Sequence, residues 1–341
     1  MLSLSRLLCG LRTESDPLRY GHARQGSHGA ANDAAPKPVV VWALTRACNL
    51  RCVHCYAAAS SKPASSELTH AEGRALLEDL RDFGVPAVLF SGGEPLVRHD
   101  ALDLLDYARG LGLNATLSTN GLLIDDAMAD KLADLELKYV GISLDGLKPI
   151  HDKLRGQPGA YEETLAAIRR CRERGIKVGL RYTVHALNLD QLDAVFDLCL
   201  DLGIQRLCVY HLAYAGRGRS LRRSDLSSEC TRAMVERLMR RTIEAHEAGS
   251  RMEVLTVANH ADAALLLLWF ERHLPEFRGG GMATAARHRR QPFRLQYRIH
   301  WTARNGSLRS VQLALHGRPR SGKALQLGLD ACARSAFGCF A

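Results

Sequence analysis

Residues 39–56, VVVWALTRACNLRCVHCY, join a continuous apolar run to a cysteine-rich loop. The run VVVWAL, residues 39–44, predicts a buried strand, being short, β-branched and aromatic with no polar face to show to water. Cys48, Cys52 and Cys55 follow at once in the spacing C-x3-C-x2-C. Three thiolates from one loop can hold three irons of a cubane cluster and leave the fourth open to an outside ligand. Four-cysteine sets instead close the site. A zinc site would need a fourth protein ligand, and His54 is poorly placed for it, lying between two of the cysteines. Three ordinary buried cysteines are the plain alternative. Tyr56 directly after the third cysteine puts an aromatic ring where it can pack beside a cofactor.

Working outward, apolar runs alternate with helical periods. A helix is expected up to Phe83, opened by Thr69 as N-cap with Glu72 completing a capping box. Further helices are expected over 101–111, 125–135, 161–174, 189–202 and about 229–248, with Gly175 and Gly203 as stops. Strands are expected at 87–90, 114–118, 139–144, 177–184 and 206–212. Six strands alternating with helices predict an α/β chain of parallel units with right-handed crossovers. The unusual loops CNLRCVHC, SGGEP, STNG, SLDG and HLAYAGRG each fall at or just after a strand's C-terminal end, where such sheets gather their chemistry.

With these loops in order, the sequence resembles the radical S-adenosylmethionine (SAM) superfamily. The resemblance implies a partial (β/α)6, TIM-like barrel. It implies a [4Fe–4S] cluster on Cys48, Cys52 and Cys55, and SAM bound at the open iron. Gly92-Gly93-Glu94-Pro95 resembles the family's motif for the SAM amino group. Glycines let backbone carbonyls approach a ligand, and a carboxylate suits an ammonium. Ser143 and Arg155 resemble residues that bind the SAM carboxylate or ribose, for which a guanidinium fork is apt. Asn120 can face the cofactor, or simply form an Asn-Gly turn.

Finer likeness runs over most of residues 36–278. The segments LTRACNLRCVHCYAAASS, LFSGGEPLVR, YVGISLDG and YHLAYAGRGRS are similar to the radical SAM proteins of haem d1 biosynthesis. That resemblance implies removal of propionate side chains from didecarboxysirohaem. Alternatives are a sister haem-forming oxidative decarboxylase of iron coproporphyrin, a peptide-modifying maturase and, from another class, a non-enzymatic metal- or nucleic-acid-binding protein, which would leave SGGEP and SLDG unexplained. The resemblance also implies a small electron donor such as ferredoxin or flavodoxin. A macrocycle edged with carboxylates suits the basic loop carrying His211, Tyr214, Arg217 and Arg219, with Arg222 and Arg223 equally readable as solvated surface. Arg217, in the tight AGRG turn, is the favoured carboxylate ligand. His211 can face the adenine, the substrate iron or the core.

The chain has 341 residues and a net charge of +10. All of the excess lies in residues 281–341, which hold 11 Lys and Arg against one acid, Asp330. Residues 1–280 hold 35 of each sign and are neutral. The charge therefore says nothing about the part that carries the motifs. Residues 1–38 read as a flexible arm, 39–250 as the core, and 251–280 as the start of a C-terminal extension. Residues 281–341 read as an irregular basic tail. No repeated basic or aromatic pattern supports a nucleic-acid arm there, and nucleic acid is not expected as a partner. The tail is then either a divergent native domain or the product of a shifted reading frame. The shifted frame is favoured because residues 305–313, read one base over with permitted codons, can spell Thr-Val-His-Ser-Asp-Gln-Tyr-Ser-Trp, similar to the family at this point. The cysteines expected to hold an auxiliary cluster are missing, since only Cys332 and Cys339 follow Cys230. Cys171, Cys199 and Cys208 read as core, and Cys9 and Cys230 have no partner pattern. No apolar run approaches the ~20 residues of a membrane span. Arg6 interrupts the opening MLSLSRLLCG, so no signal peptide and a cytoplasmic setting are expected.

Overall fold

The computed structural model describes residues 1–14, 16, 37–273 and 298–300. Its centre is a run of parallel strands whose order in space is their order in the chain. These are β2 (Val40–Thr45), β3 (Ala87–Gly92), β4 (Asn114–Thr119), β5 (Val140–Ser143), β6 (Val178–Val184), β7 (Arg206–His211) and β8 (Glu253–Val257). β1 (Leu2–Ser3) pairs antiparallel with β8 at one edge, and β9 (Arg298–His300) pairs parallel with β2 at the other. The sheet is a curled half-barrel that leaves β2 and β8 apart, the partial (β/α)6 architecture expected, with β8 added.

Each parallel strand is followed by helix: α2 (His70–Phe83), α3 (Ala101–Gly110), α4 (Asp126–Asp134), α5 (Lys148–Arg155) and α6 (Ala160–Glu173), then α7 (Leu192–Asp201), α8 (Ser228–Glu247) and α9 (Ala261–His273). Alternation along the strands sorts two faces. Trp42, Phe90, Leu117, Ile142, Leu180 and Val209 point outward into one continuous core beneath the helices. The other face lines the barrel lumen and is more open, as the alternating half-buried and buried residues of β4 show. α2 starts as expected, with the Thr69 side chain accepting from Glu72 N and the Glu72 carboxylate accepting from Thr69 N.

Three elements depart from the expectations. Residues 2–9 are not a flexible arm. Leu2 and Leu4 are buried, α1 (Leu4–Cys9) packs on α8, and Ser5 Oγ accepts from Val254 N at 3.1 Å. The sheet also continues past residue 250, because EVLTV forms β8 beside β7. α5 leaves little trace in the sequence because it is only eight residues long, with Pro149 in its first turn. Among the described residues no helix is long and apolar enough to cross a membrane. The expectations for residues 17–36 and for nearly all of 281–341, the reading-frame question included, lie outside the described residues.

Candidate functional site

The cysteine loop leaves β2 and is held from four sides. Behind it, Cys48 N donates to Ser60 O at 2.7 Å and Ala47 bridges to Ser60. Beside it, Val53 N donates to Leu154 O of α5 at 2.9 Å. Beneath it runs the SGGEP loop, where Gly93 N donates to Thr45 O at 2.7 Å and Glu94 N to Ala47 O at 2.8 Å. A Cβ on Gly93 would stand 2.1 Å from Ala47 O, so only glycine permits this approach. These glycines were expected to admit a ligand, and what they admit here is the base of the cysteine loop.

The fourth side is the loop after β7, a 3₁₀ turn over Gly216–Ser224. Arg217 N donates to Cys55 O at 2.9 Å. Its guanidinium donates from Nε to Cys52 O at 2.7 Å and from Nη1 to Ala59 O at 2.6 Å. A Cβ on Gly216 would meet Cys55 O at 2.4 Å. Three of Arg217's donors, its backbone N, Nε and Nη1, thus clamp the cysteine loop, while Nη2 has no partner among the described residues. Arg219, Arg222 and Arg223 are exposed. Arg219 lines a shallow, open cavity of about 590 Å³ with Val53, Gly216, Arg217 and Ser220. Tyr214 is exposed and donates to Asp225 Oδ2 at 2.8 Å. His211 does not face an open site: its Nε2 lies 2.9 Å from Asp262 Oδ2, at the start of α9.

Glu94 is fully buried. Its Oε1 accepts from Thr119 Oγ1 at 2.8 Å and from Leu96 N at 3.2 Å, and its Oε2 accepts from Asn120 N at 2.7 Å. Among the described residues no cation pairs with it, and burial pushes its pKa up to about 7 in spite of those hydrogen bonds. Asn120 turns its side chain to the cysteine loop, donating to Asn49 Oδ1 at 2.7 Å, with Cys48 Sγ 3.9 Å away. Ser143 ends β5, half-buried on the lumen face.

Arg155 does bind a carboxylate, but the carboxylate is Asp145, whose Oδ2 lies 2.5 Å from Nη2. Nη1 reaches Cys52 Sγ at 3.6 Å. Asp145 is fully buried at the end of SLDG. Its Oδ2 also meets His54 Nε2 at 3.1 Å, and its Oδ1 accepts from Thr183 N at 2.9 Å. The Arg155 guanidinium and His54 more than offset its burial and hold its carboxyl well below the usual range. Asp145 and His54 thus link SLDG to the cysteine loop. The signal for Asp145 was the acid inside SLDG, and for His54 its place inside the cysteine motif.

The donor set fits a cluster and SAM. Cys52 is buried and Cys48 and Cys55 are half-buried, and all three are free thiols. Burial pushes Cys48 up to about 11 and raises Cys52, which the Arg155 charge partly opposes, so metal uptake must expel their protons. No three His, Cys, Asp or Glu side chains among the described residues converge as a single ion requires. A cubane gives each thiolate its own iron, so its ligands stand apart. Glu94, buried without a counter-ion, is suited to an ammonium.

The radical SAM superfamily model matches residues 42–199. The chain is 47% identical over 278 residues to an Fe-coproporphyrin III synthase of Methanosarcina barkeri, covering 81% of this chain and 70% of the relative. It is 44% identical over 241 residues to a pre-heme d1 synthase of Dinoroseobacter shibae, covering 70% of this chain and 60% of the relative. A crystal structure of Streptococcus suis SuiB bound to S-adenosylmethionine shares the fold, with a TM-score of 0.57 at 20% identity over 69% of this chain and 53% of that one.

Proposed function

The chain belongs to the radical SAM superfamily, and from that premise we propose that it modifies carboxylate side chains at the edge of an iron tetrapyrrole. Enzymes of this family use a [4Fe–4S] cluster and SAM. Held by Cys48, Cys52, Cys55 and Glu94, such a cluster with SAM would supply one-electron reduction and radical abstraction of a substrate hydrogen.

The chain's own residues have separate tasks. Cys48, Cys52 and Cys55 hold the cluster, on a loop braced by Arg217, Ala47 and Asp145. Arg155 donates to Cys52 Sγ and offsets the thiolate charge. Glu94 takes the SAM ammonium, with Gly92 and Gly93 setting the depth of its loop. Asn120 keeps the Cys48 side in register. Ser143 contacts SAM from the end of β5. Arg219 and Tyr214 stand at the rim, where an incoming carboxylate-rich edge first meets the protein. The electron comes from a small carrier of the ferredoxin or flavodoxin kind.

The observation that carries the reading is a buried Glu94 with no ion-pair partner among the described residues, bonded to the loops around a three-cysteine motif. The tetrapyrrole assignment draws its support from the two relatives, and the haem d1 branch implies didecarboxysirohaem as substrate. The 47% identical relative favours a second reading, in which iron coproporphyrin III is the product. Anaerobic reconstitution should give about four irons per chain and a brown colour bleached by dithionite. About eight irons would contradict a single cluster. Product analysis with didecarboxysirohaem, set against iron coproporphyrin III, then tests the substrate. A loaded protein that changes neither would overturn the tetrapyrrole reading.

A further inference from the structure

A closed (β/α) barrel fills its interior with layers of Val, Ile and Leu, whereas here β4, β5 and β6 turn hydroxyls, glycines and an arginine to the lumen, with Leu255 and Val257 of β8 apolar beside them. Register places Ser118 beside Gly141 and Gly141 beside Gly179. Higher up, Ser143 lies beside Arg181, and Arg181 beside Cys208. Thr183 and Tyr210 follow on the next level. Tyr182, between Arg181 and Thr183, points the other way into the core. One guanidinium therefore projects from the middle of β6 into the lumen, among hydroxyls and glycines.

Two arginines of the lumen differ in their partners. Arg206, at the closed end, is ion-paired with Glu253 and lies 4.6 Å from the Tyr139 ring centre. Arg181 lies over Gly141, where an added Cβ would come 2.3 Å from its Nε. Among the described residues no carboxylate pairs with Arg181. The groups around it are the phenols of Tyr139 and Tyr210 and the Cys208 thiol, none of them a carboxylate. Its Nε is sealed from solvent and makes no well-aligned hydrogen bond, the neutral Tyr139 hydroxyl being the acceptor beside the guanidinium. Polar and aromatic side chains compensate this guanidinium for its burial, but no carboxylate does, and the group that would neutralise it is an anion, best a planar carboxylate. The position suits the chemistry. Ser143 is its register neighbour on β5, and Tyr56, next to Cys55, sinks its hydroxyl beside Ser91, where it feels the Arg181 charge.

We propose that Arg181 is the lumen's substrate anchor, taking one peripheral carboxylate of the tetrapyrrole in a two-pronged ion pair on the cysteine-loop side of the barrel. This rests on the tetrapyrrole reading, and it moves recognition from the Arg217 loop into the barrel.

The test is calorimetric titration of the anaerobically reconstituted full chain with iron coproporphyrin III and with its methyl ester. The wild type should bind the acid about tenfold to a hundredfold more tightly than the ester, the worth of a hydrogen-bonded ion pair. Arg181→Met should erase that preference and leave SAM affinity unchanged. Arg181→Lys, which keeps the charge without the fork, should retain part of the preference, and it preserves the test if the methionine variant fails to fold. Arg240→Met, exposed on α8 and away from the barrel mouth, should leave the preference in place. Equal acid binding by Arg181→Met and wild type overturns the proposal alone. So does a matching loss of SAM affinity, which would give Arg181 to the cofactor's carboxylate. A wild type that binds neither acid nor ester overturns the tetrapyrrole reading and the anchor with it.

Discussion

Asp145 Oδ2 stands 2.5 Å from Arg155 Nη2, with both side chains shut away from water. The pair joins the SLDG loop to the end of α5, and through Cys52 Sγ to the cysteine loop. Removing one partner leaves a buried charge alone, which costs about 3–5 kcal/mol. Asp145→Asn should therefore lower the urea midpoint sharply, and Arg155→Gln likewise. The double variant should be more stable than the sum of the two losses allows, because neither charge is then stranded. Strict additivity in that cycle would mean the two side chains do not act as a pair. Asp145 has its carboxyl held below the usual range, so it stabilises the fold above the ordinary carboxylate pKa and ceases to as pH falls. Asp145→Asn should flatten the acid limb of the stability curve.

Glu94 has the opposite sign. Burial raises its pKa from 4.5 to about 7, so the folded chain prefers it protonated. The stability this confers is complete below about pH 4.5 and is lost as pH rises through about 7, a span worth about 3 kcal/mol. Glu94→Gln should remove that slope. An ammonium ligand favours the ionised form, so SAM should bind the wild type more tightly as pH rises through 7 and release a proton on binding. Glu94→Gln should bind weakly with no such trend. A wild-type SAM affinity that is flat from pH 6 to 8 would show that Glu94 does not meet the ammonium.

The sequence carries the architecture because its signals are local. Apolar runs such as VVVWAL and the capping box at Thr69 name their own elements, and glycine stops divide them. The three cysteines and SGGEP were legible for the same reason. What remained hidden depends on distant partners. LSLSRLLCG has too few residues for a period, and its two-residue strand exists only because β8 offers an edge. Arg217 looked available because a sequence does not show that Cys52 O and Ala59 O sit beneath it. Arg181 passed as one charge in a strand, although Gly179, Arg181 and Thr183 at alternate positions already marked a non-apolar face.

Gly93 and Gly110 make a matched pair of tests. Gly93→Ala forces a Cβ to 2.1 Å from Ala47 O, a backbone atom tied into the cysteine loop. The fold should lose stability at or above the roughly 3 kcal/mol upper range of overpacking, and iron retention should fall with it. Gly110 ends α3 with nothing within 4 Å of an added Cβ. Gly110→Ala should be neutral or gain up to about 1 kcal/mol. Equal unfolding midpoints for the two variants would refute the close contact at Gly93.

Arg217→Ala separates the clamp from the substrate ligand it first resembled. The variant removes charged donors from Cys52 O and Ala59 O, each bond worth about 1.5–3 kcal/mol, while the backbone N–H of residue 217 still donates to Cys55 O. The loss falls on residues 52–59 and not on the sheet beneath, so global unfolding should change less than local opening. Amide exchange across residues 52–59 should speed up, and reconstitution should yield fewer irons per chain. Arg219→Ala, exposed on the same turn, should change neither. Arg217→Lys should restore little, because one ammonium cannot span two carbonyls that a planar fork reaches together. Normal iron content with weakened tetrapyrrole binding in Arg217→Ala would return this arginine to the substrate and overturn the clamp.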